Sequence, residues 1–337
     1  MSTAEQTASA PGKLFLIGEY AVLEGYPATL IPAPQRARVS LTPSRGDGEV
    51  VSRTTTETRS PLATALLTEP LLAAVVSVLQ CSAALENRRL VMDTRDFFRD
   101  GSKLGLGSSA ALTAALVRLL GNTRDPAVLV DTAIRSHRRF QDGKGSGADI
   151  ALSVFGQPVC FSRTSDQQND RATTEPVSLP TDFHILAIWT GQSASTTDYL
   201  TRMQQWRAQQ PETYEQQIDH LGSLATRFRG LLLDTESRDA ANTRVSAALQ
   251  ATIAEYNQAL KSFSAISGTD FYNQVHVALQ KKVESARCTY KPSGAGGGDF
   301  GLAFSVDLQA LNQLADQLKR EGFYLVPLTR DVPDKSS

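Results

Sequence analysis

The sequence predicts a two-domain chain built from both helices and strands, and three observations carry that reading. At 337 residues the chain is roughly two to three times the usual domain size, so it can bury more than one core. With 41% apolar and 20% charged residues it sits near the globular average, which excludes collagenous, coiled-coil and disordered chains. Short apolar runs of strand length also alternate with longer stretches in which apolar residues recur at helical spacing.

Residues 1–9 are small and polar and are expected to be disordered. Lys13 to Ile17 then reads as a buried strand ending at Gly18, and Ala28 to Ile31 as a second strand closed by Pro32 and Pro34. Pro70 opens a helix through Leu71 to Leu85, and Leu90 to Met92 is a short strand. Ser108 to Leu120 reads as a buried helix directly behind a glycine loop, with two serines at its start. Asp125 to Phe140 is the next helix, followed by a loop from Gly143 to Gly147 and the apolar Ile150 to Phe155. Residues 163–182 are polar and punctuated by proline, so the domain boundary is placed there, giving domains of 10–182 and 183–337. The second domain opens with the strand Phe183 to Trp189 and is helix-rich from Asp198 to Lys282. Its glutamines (Gln204, Gln205, Gln209, Gln210, Gln216, Gln217) read as solvated surface. A glycine turn from Gly294 to Gly301, a strand Leu302 to Ser305, a helix Leu308 to Glu321 and a strand Tyr324 to Leu328 close the chain.

Charge and cysteine usage narrow the partners. Thirty-four Lys plus Arg against 35 Asp plus Glu leave a net charge of −1, so no overall basic field draws the chain to nucleic acid or anionic lipid. An anionic ligand must be met locally. Cys81, Cys160 and Cys288 are widely spaced with no CxxC pair, which fits a reduced, cytoplasmic protein. No secretion signal is read at the N-terminus, and the most apolar window, Leu71 to Leu85, is interrupted by Ser77, Gln80 and Ser82, so no membrane span is expected.

Three glycine-rich constellations stand out. In GSKLGLGSSAALTAAL, from Gly101 to Leu116, spaced glycines precede a helix that opens with adjacent hydroxyls, so backbone amides and a helix dipole converge on an anion site. The spacing is neither that of a Walker loop nor that of GxGxxG. KPSGAGGGDFG, from Lys291 to Gly301, holds five glycines in eleven residues, a density that close approach to a ligand or to another backbone would explain. SAPGKLFLIGEYAVLEG (Ser9 to Gly25) and GKGSGADIA (Gly143 to Ala151) form the third. Of only nine lysines, four (Lys13, Lys103, Lys144 and Lys291) lie in or against these segments. Asp149 has two readings, an N-cap for the segment that follows or a carboxylate that takes a proton.

The segments PGKLFLIGEYAVLEG, GLGSSAAL and KPSGAGGGDFG occur in the order and spacing of the three motifs of the GHMP kinase superfamily, which the chain resembles from about residue 9 to 328. The likeness is greatest to the phosphomevalonate kinase branch. Shared with it are Ala10 to Leu14, Gly18 to Glu24, His137 and Gln141 ahead of Gly145 to Asp149, Thr190 to Asp198, and Lys291 to Asp299. The resemblance implies a two-domain α+β fold with the active site in the cleft between the domains. It implies that Lys103, Leu104, Gly105, Leu106, Gly107, Ser108 and Ser109 wrap the phosphates of ATP, with Ser108 or Ser109 near Mg²⁺. Lys13 and Asp149 become the catalytic pair, and Lys13, Tyr20, Ser146, Gly147, Ser195, Lys291, Ala295 and Gly296 the substrate-binding set.

The implied reaction moves the γ-phosphate of ATP to (R)-5-phosphomevalonate, giving 5-diphosphomevalonate and ADP. Mevalonate kinases, the same-class alternative, carry a magnesium-binding glutamate eleven residues before the catalytic aspartate, where this chain has Arg138. Diphosphomevalonate decarboxylases lack the lysine found here as Lys13, and galactokinases are longer, with their own N-terminal signature. A catalytically silent relative that binds ATP or a metabolite is the alternative of a different class. Monomer and homodimer are both open.

Overall fold

The computed structural model describes residues 5–141, 143, 145–166, 169–194, 196–234 and 243–328. The chain divides into two compact units, Met1–Ser178 and Leu179–Ser337.

The N-terminal unit contains β1 (Gln6–Ile17), β2 (Ala28–Pro43), β3 (Glu49–Arg53), β4 (Glu57–Pro61), α1 (Leu62–Thr68), α2 (Pro70–Leu79) and β5 (Arg88–Asp93). After these come a two-stranded hairpin β6 (Phe98–Arg99) and β7 (Ser102–Lys103), then α3 (Ser108–Leu120), α4 (Pro126–Phe140), α5 (Ala148–Phe155), β8 (Val159–Asp166) and β9 (Asn169–Pro176). Its main sheet runs β4-β3-β5-β2-β8-β9, with β1 paired to β2. All pairs are antiparallel except β3 with β5. Leu30, Val39, Leu90, Leu116, Ile150 and Phe161 are among the buried side chains of its core.

Four expectations change here. Residues 6–9, expected to be disordered, extend β1, where Gln6 to Ser9 pair with Leu41 to Arg38 of β2 and Arg36 donates to the Ser9 hydroxyl. β2 does not stop at Pro32 and Pro34. Both prolines lie where β2 has β1 alone as a neighbour, between its pairings with β8 at residues 28–30 and with β5 at residues 38–43. A missing N–H costs no ladder bond on an open side. The helix expected to reach Leu85 ends at Leu79, because Gln80 turns left-handed (φ 51°) and its amide closes on the Val76 carbonyl. The polar stretch taken as a connector holds the β8–β9 hairpin, whose rungs continue to Val159 and Pro176.

The C-terminal unit holds β10 (His184–Trp189), α6 (Thr196–Gln209), α7 (Pro211–Leu233), α8 (Thr243–Ser267), α9 (Gln274–Ser285), β11 (Thr289–Ser293), β12 (Phe300–Ser305), α10 (Leu308–Arg320) and β13 (Leu325–Pro327). Its antiparallel sheet has the order β11-β12-β10-β13. Ile188, Val283, Tyr290, Leu314 and Leu318 pack together in its core. Cys81, Cys160 and Cys288 are free thiols. Among the described residues no single helix is long and apolar enough to cross a membrane.

Candidate active site

In the N-terminal unit, β1 meets the loop between β7 and α3 at Gly12 and Lys13. The Lys13 amide donates to the Leu106 carbonyl at 2.9 Å. A Cβ on Gly12 would stand 2.6 Å from that carbonyl oxygen and 2.7 Å from the Phe97 ring, so only glycine lets strand and loop approach this closely. Leu104 and Leu106 are buried and anchor the loop to the core, and the Leu104 amide donates to the Phe97 carbonyl. Between and after them Gly105 and Gly107 take left-handed φ values of 75° and 76°. Lys103 is exposed at the end of β7.

Gly107 is the N-cap of α3 and offers no side chain to the first-turn amides. Those amides and the helix dipole are therefore left without a side-chain cap, an arrangement suited to an anion. The Lys13 side chain runs beside this point. A Cβ on Gly107 would lie 3.1 Å from Lys13 Cγ and 3.4 Å from Cε, while Lys13 Nζ stands 5.3 Å from the centre of the Phe15 ring. Gly107→Ala is thus expected to cost about 1–2 kcal/mol of stability from the left-handed backbone, and to push the lysine stem aside. Denaturant unfolding should show the loss, and calorimetry should show weakened affinity for ATP.

Of the two readings of Asp149, the N-cap is excluded by where the following helix begins. α5 starts at Ala148 with Gly147 as its N-cap, and the Ser146 hydroxyl accepts the Ala148 amide at 3.2 Å. Asp149 lies inside the first turn, its Oδ1 accepting the next amide, of Ile150, at 2.9 Å. Ser153 is one helical turn further along the same face. Its hydroxyl donates to the Pro11 carbonyl at 2.9 Å, which ties that face of α5 to β1 two residues before Lys13. Gly147 is held close to α4, since a Cβ there would lie 2.9 Å from Ile134. Tyr20 is buried in the turn after β1 with a left-handed φ of 64°.

The serines at the start of α3 differ. Ser108 is buried, and Ser109 Oγ stands 3.1 Å from Nε2 of His137 on α4. His137 is itself buried, and burial lowers its pKa from 6.5 while the charge of Asp149 acts in the opposite direction. In the sequence His137 stands out only as part of the motif ahead of Gly145 to Asp149. Its signal was the helical spacing that puts it on the buried face of α4 with Val130, Ala133 and Ile134.

In the C-terminal unit the structure joins two of the motifs. Asp299, buried and left-handed at φ 54°, accepts the Ala194 amide at 3.0 Å, and its own amide donates to the Gln192 carbonyl at 2.7 Å. The glycines before it are needed for contact with protein. A Cβ on Gly296 would meet the Phe271 carbonyl at 2.7 Å, and one on Gly298 the Gln192 carbonyl at 2.8 Å. Ala295 is half-buried and Gly296 buried in that turn. Ser195 and Lys144 lie outside the described residues.

Lys291, expected to meet a substrate anion, lies on β11 of the C-terminal unit. It is 0% exposed, with its ammonium 5.8 Å from the centre of the Tyr256 ring. Beside it His276 Nδ1 pairs with the Tyr290 hydroxyl at 2.8 Å. Burial, with the Lys291 charge adding to it, brings the His276 pKa down to about 4. A group depressed from 6.5 to about 4 is protonated in the unfolded chain first, so it leaves stability intact above pH 6.5 and withdraws it as pH falls towards 4. Acid unfolding is therefore expected to steepen across that window, and His276→Gln to flatten it, as melting temperatures at stepped pH would show.

A magnesium ion carried by a nucleotide needs only one or two protein oxygens besides phosphate and water. Ser108, Ser109 and Asp149 supply hard oxygen donors of that kind. Among the described residues no group of three His, Cys, Asp or Glu side chains could hold a metal by itself.

Residues 101–157, which span the glycine loop, α3, α4 and α5, match the family model of the GHMP kinases N terminal domain. The chain is 26% identical to a phosphomevalonate kinase of Streptomyces sp. (strain CL190), covering 98% of each chain, and 24% identical to one of Saccharolobus solfataricus, covering 96% of each. It is also 23% identical to a mevalonate kinase of Thermococcus sibiricus, over 94% of this chain and 93% of the other. Among solved structures, the phosphomevalonate kinase of Streptococcus pneumoniae in complex with phosphomevalonate and AMPPNP superposes with a TM-score of 0.76 at 20% identity, covering 95% of this chain and 98% of that one. The matched segment includes the loop that Lys13 of β1 meets at Leu106, and the likeness to the relatives runs through both units; the chain is similar to the GHMP kinases and, among them, to phosphomevalonate kinases.

Proposed function

We propose that this chain is an ATP-dependent phosphotransferase with (R)-5-phosphomevalonate as acceptor, forming 5-diphosphomevalonate and ADP in the mevalonate route to isoprenoid precursors. One observation carries the reading: Lys13 lies against Gly107 at an uncapped helix N-terminus, and the helix bearing Asp149 is tied to the same strand. Phosphoryl transfer asks for this combination of an anion cradle, a fixed cation and a group that aligns the nucleophile.

In this reading the amides of the 104–109 loop and of the first turn of α3 hold the phosphates of ATP. Ser108 or Ser109 and Asp149 would offer oxygen donors to a magnesium ion, which would supply neutralisation of the phosphate charge. A phosphate oxygen of the acceptor attacks the γ-phosphorus, and the bond from that phosphorus to the bridging oxygen of ADP breaks. Lys13 balances the charge that builds on the oxygens in flight. A phosphate acceptor is largely ionised near neutral pH, with a second pKa of about 6, so Asp149 has more to do in orienting it than in removing a proton. Tyr20, Ser146 and Gly147, together with Ser195, Ala295 and Gly296, are proposed to surround the acceptor. Free thiols and a near-neutral surface fit a cytoplasmic enzyme.

Arg138, at the position where mevalonate kinases carry a glutamate, favours the phosphorylated acceptor. A coupled ADP assay with 5-phosphomevalonate, mevalonate and no acceptor tests this directly. The expected result is turnover with 5-phosphomevalonate at a far higher kcat/KM than with mevalonate. The reverse order assigns the chain to mevalonate, and no acceptor-dependent ADP with either overturns the kinase reading.

A further inference from the structure

We propose that His137 is a positioning residue for the phosphate loop: its Nε2 accepts the Ser109 hydroxyl hydrogen and so turns the lone pairs of Ser109 Oγ towards the ligand at the N-terminus of α3. The inference rests on the ATP-binding reading above and adds to it the residue that orients the hydroxyl.

A serine hydroxyl has one hydrogen and two lone pairs. For its oxygen to serve a cation or a polar hydrogen of the bound nucleotide, that hydrogen must be directed elsewhere. Inside a helix the usual outlet is the carbonyl one turn back. At Ser109 the structure offers another: the 3.1 Å contact with Nε2 of His137, which lies on a different helix and 28 positions further along the chain. The Ser109 carbonyl is already engaged, accepting from the Thr113 hydroxyl at 2.8 Å, so the side chain of Ser109 is fixed on one side and its backbone on the other. The imidazole is held as well. It is buried on the inner face of α4, with the Phe140 ring 5.8 Å away. A buried ring with a set orientation selects one rotamer of the hydroxyl, which is the preorganisation a polar binding group needs if it is not to lose entropy on binding.

Side-chain length separates this role from simple packing of α4 on α3. Glutamine places an amide near the position of Nε2, whereas asparagine reaches only as far as Nδ1. The affinity of the folded variants for AMPPNP with magnesium, measured by calorimetry without acceptor, is the readout, and melting temperatures report on packing. His137→Asn and Ser109→Ala are each expected to weaken binding about fivefold to tenfold, the worth of one hydrogen bond of about 1 to 1.4 kcal/mol. His137→Gln should stay within about threefold of the parent, and adding His137→Asn to Ser109→Ala should weaken binding no further.

Equal losses in His137→Gln and His137→Asn, or losses that multiply in the double variant, would overturn the proposal, as would unchanged affinity in Ser109→Ala. If the parent chain itself fails to bind AMPPNP with magnesium, the ATP-binding reading falls, and this inference falls with it. A variant that does not fold removes only its own arm, because Ser109→Ala and the surviving member of the length pair still decide between the two roles.

Discussion

Asp149→Asn is expected to melt within about a degree or two of the parent protein and to lose at least about a hundredfold in kcat, the range found for groups that handle a proton or align a nucleophile. Its structural work is small and survives the change. Among the described residues the carboxylate accepts the Ile150 amide at Oδ1, and the amide oxygen of asparagine accepts that bond equally well. Helix initiation is carried by Gly147 and by the Ser146 hydroxyl, and the attachment of α5 to β1 by Ser153. What the substitution removes is a negative charge and a second strong acceptor in the first turn of a helix. Steady-state kinetics beside thermal melting decide the point. A variant that keeps most of its kcat would make Asp149 a structural residue and leave the reaction without a carboxylate from this part of the chain.

The part of this site that could be read from the sequence is the part fixed by local rules. α3 runs from Ser108 to Leu120 as expected, because the left-handed Gly107 can end a loop and a run of alanine and leucine can only continue as a buried helix. α4 is bounded by an Asp125 carboxylate that caps two amides and by Pro126 at its first position, both legible signals. The features that escaped depend on partners distant in the chain. A hydrogen bond between Ser109 and His137, or between Ser153 and Pro11, leaves no spacing pattern in a single sequence. The hairpin β8–β9 escaped because most of its residues are polar, so the alternation that betrays a half-buried strand is missing. Lys291 shows the converse. Its place in a glycine-rich motif says nothing of its burial, yet it is buried on β11, an edge strand of its sheet, and the glycines that follow it admit Phe271 and Gln192 as neighbours.

Lys13→Met should lower kcat by about 10²- to 10³-fold, roughly 3 to 4 kcal/mol, which is the loss typical of one preorganised electrostatic partner. Methionine keeps an unbranched stem of similar length, so the packing against Gly107 and over the Phe15 ring survives, and the backbone bond to Leu106 is untouched. Only the charge is deleted. Arginine is not expected to rescue it, because a planar guanidinium is broader than an ammonium and Gly107 already stands within van der Waals reach of the stem. Combining Lys13→Met with Asp149→Asn gives the sharper test. Two groups that act on one transition state lose far less together than the product of their separate losses, whereas two residues that merely support different elements lose the full product. Rate constants for the two single variants and the double variant, each shown to be folded by its melting curve, would therefore establish whether the cation on β1 and the carboxylate on α5 serve the same phosphoryl group. Fully multiplicative losses would separate them.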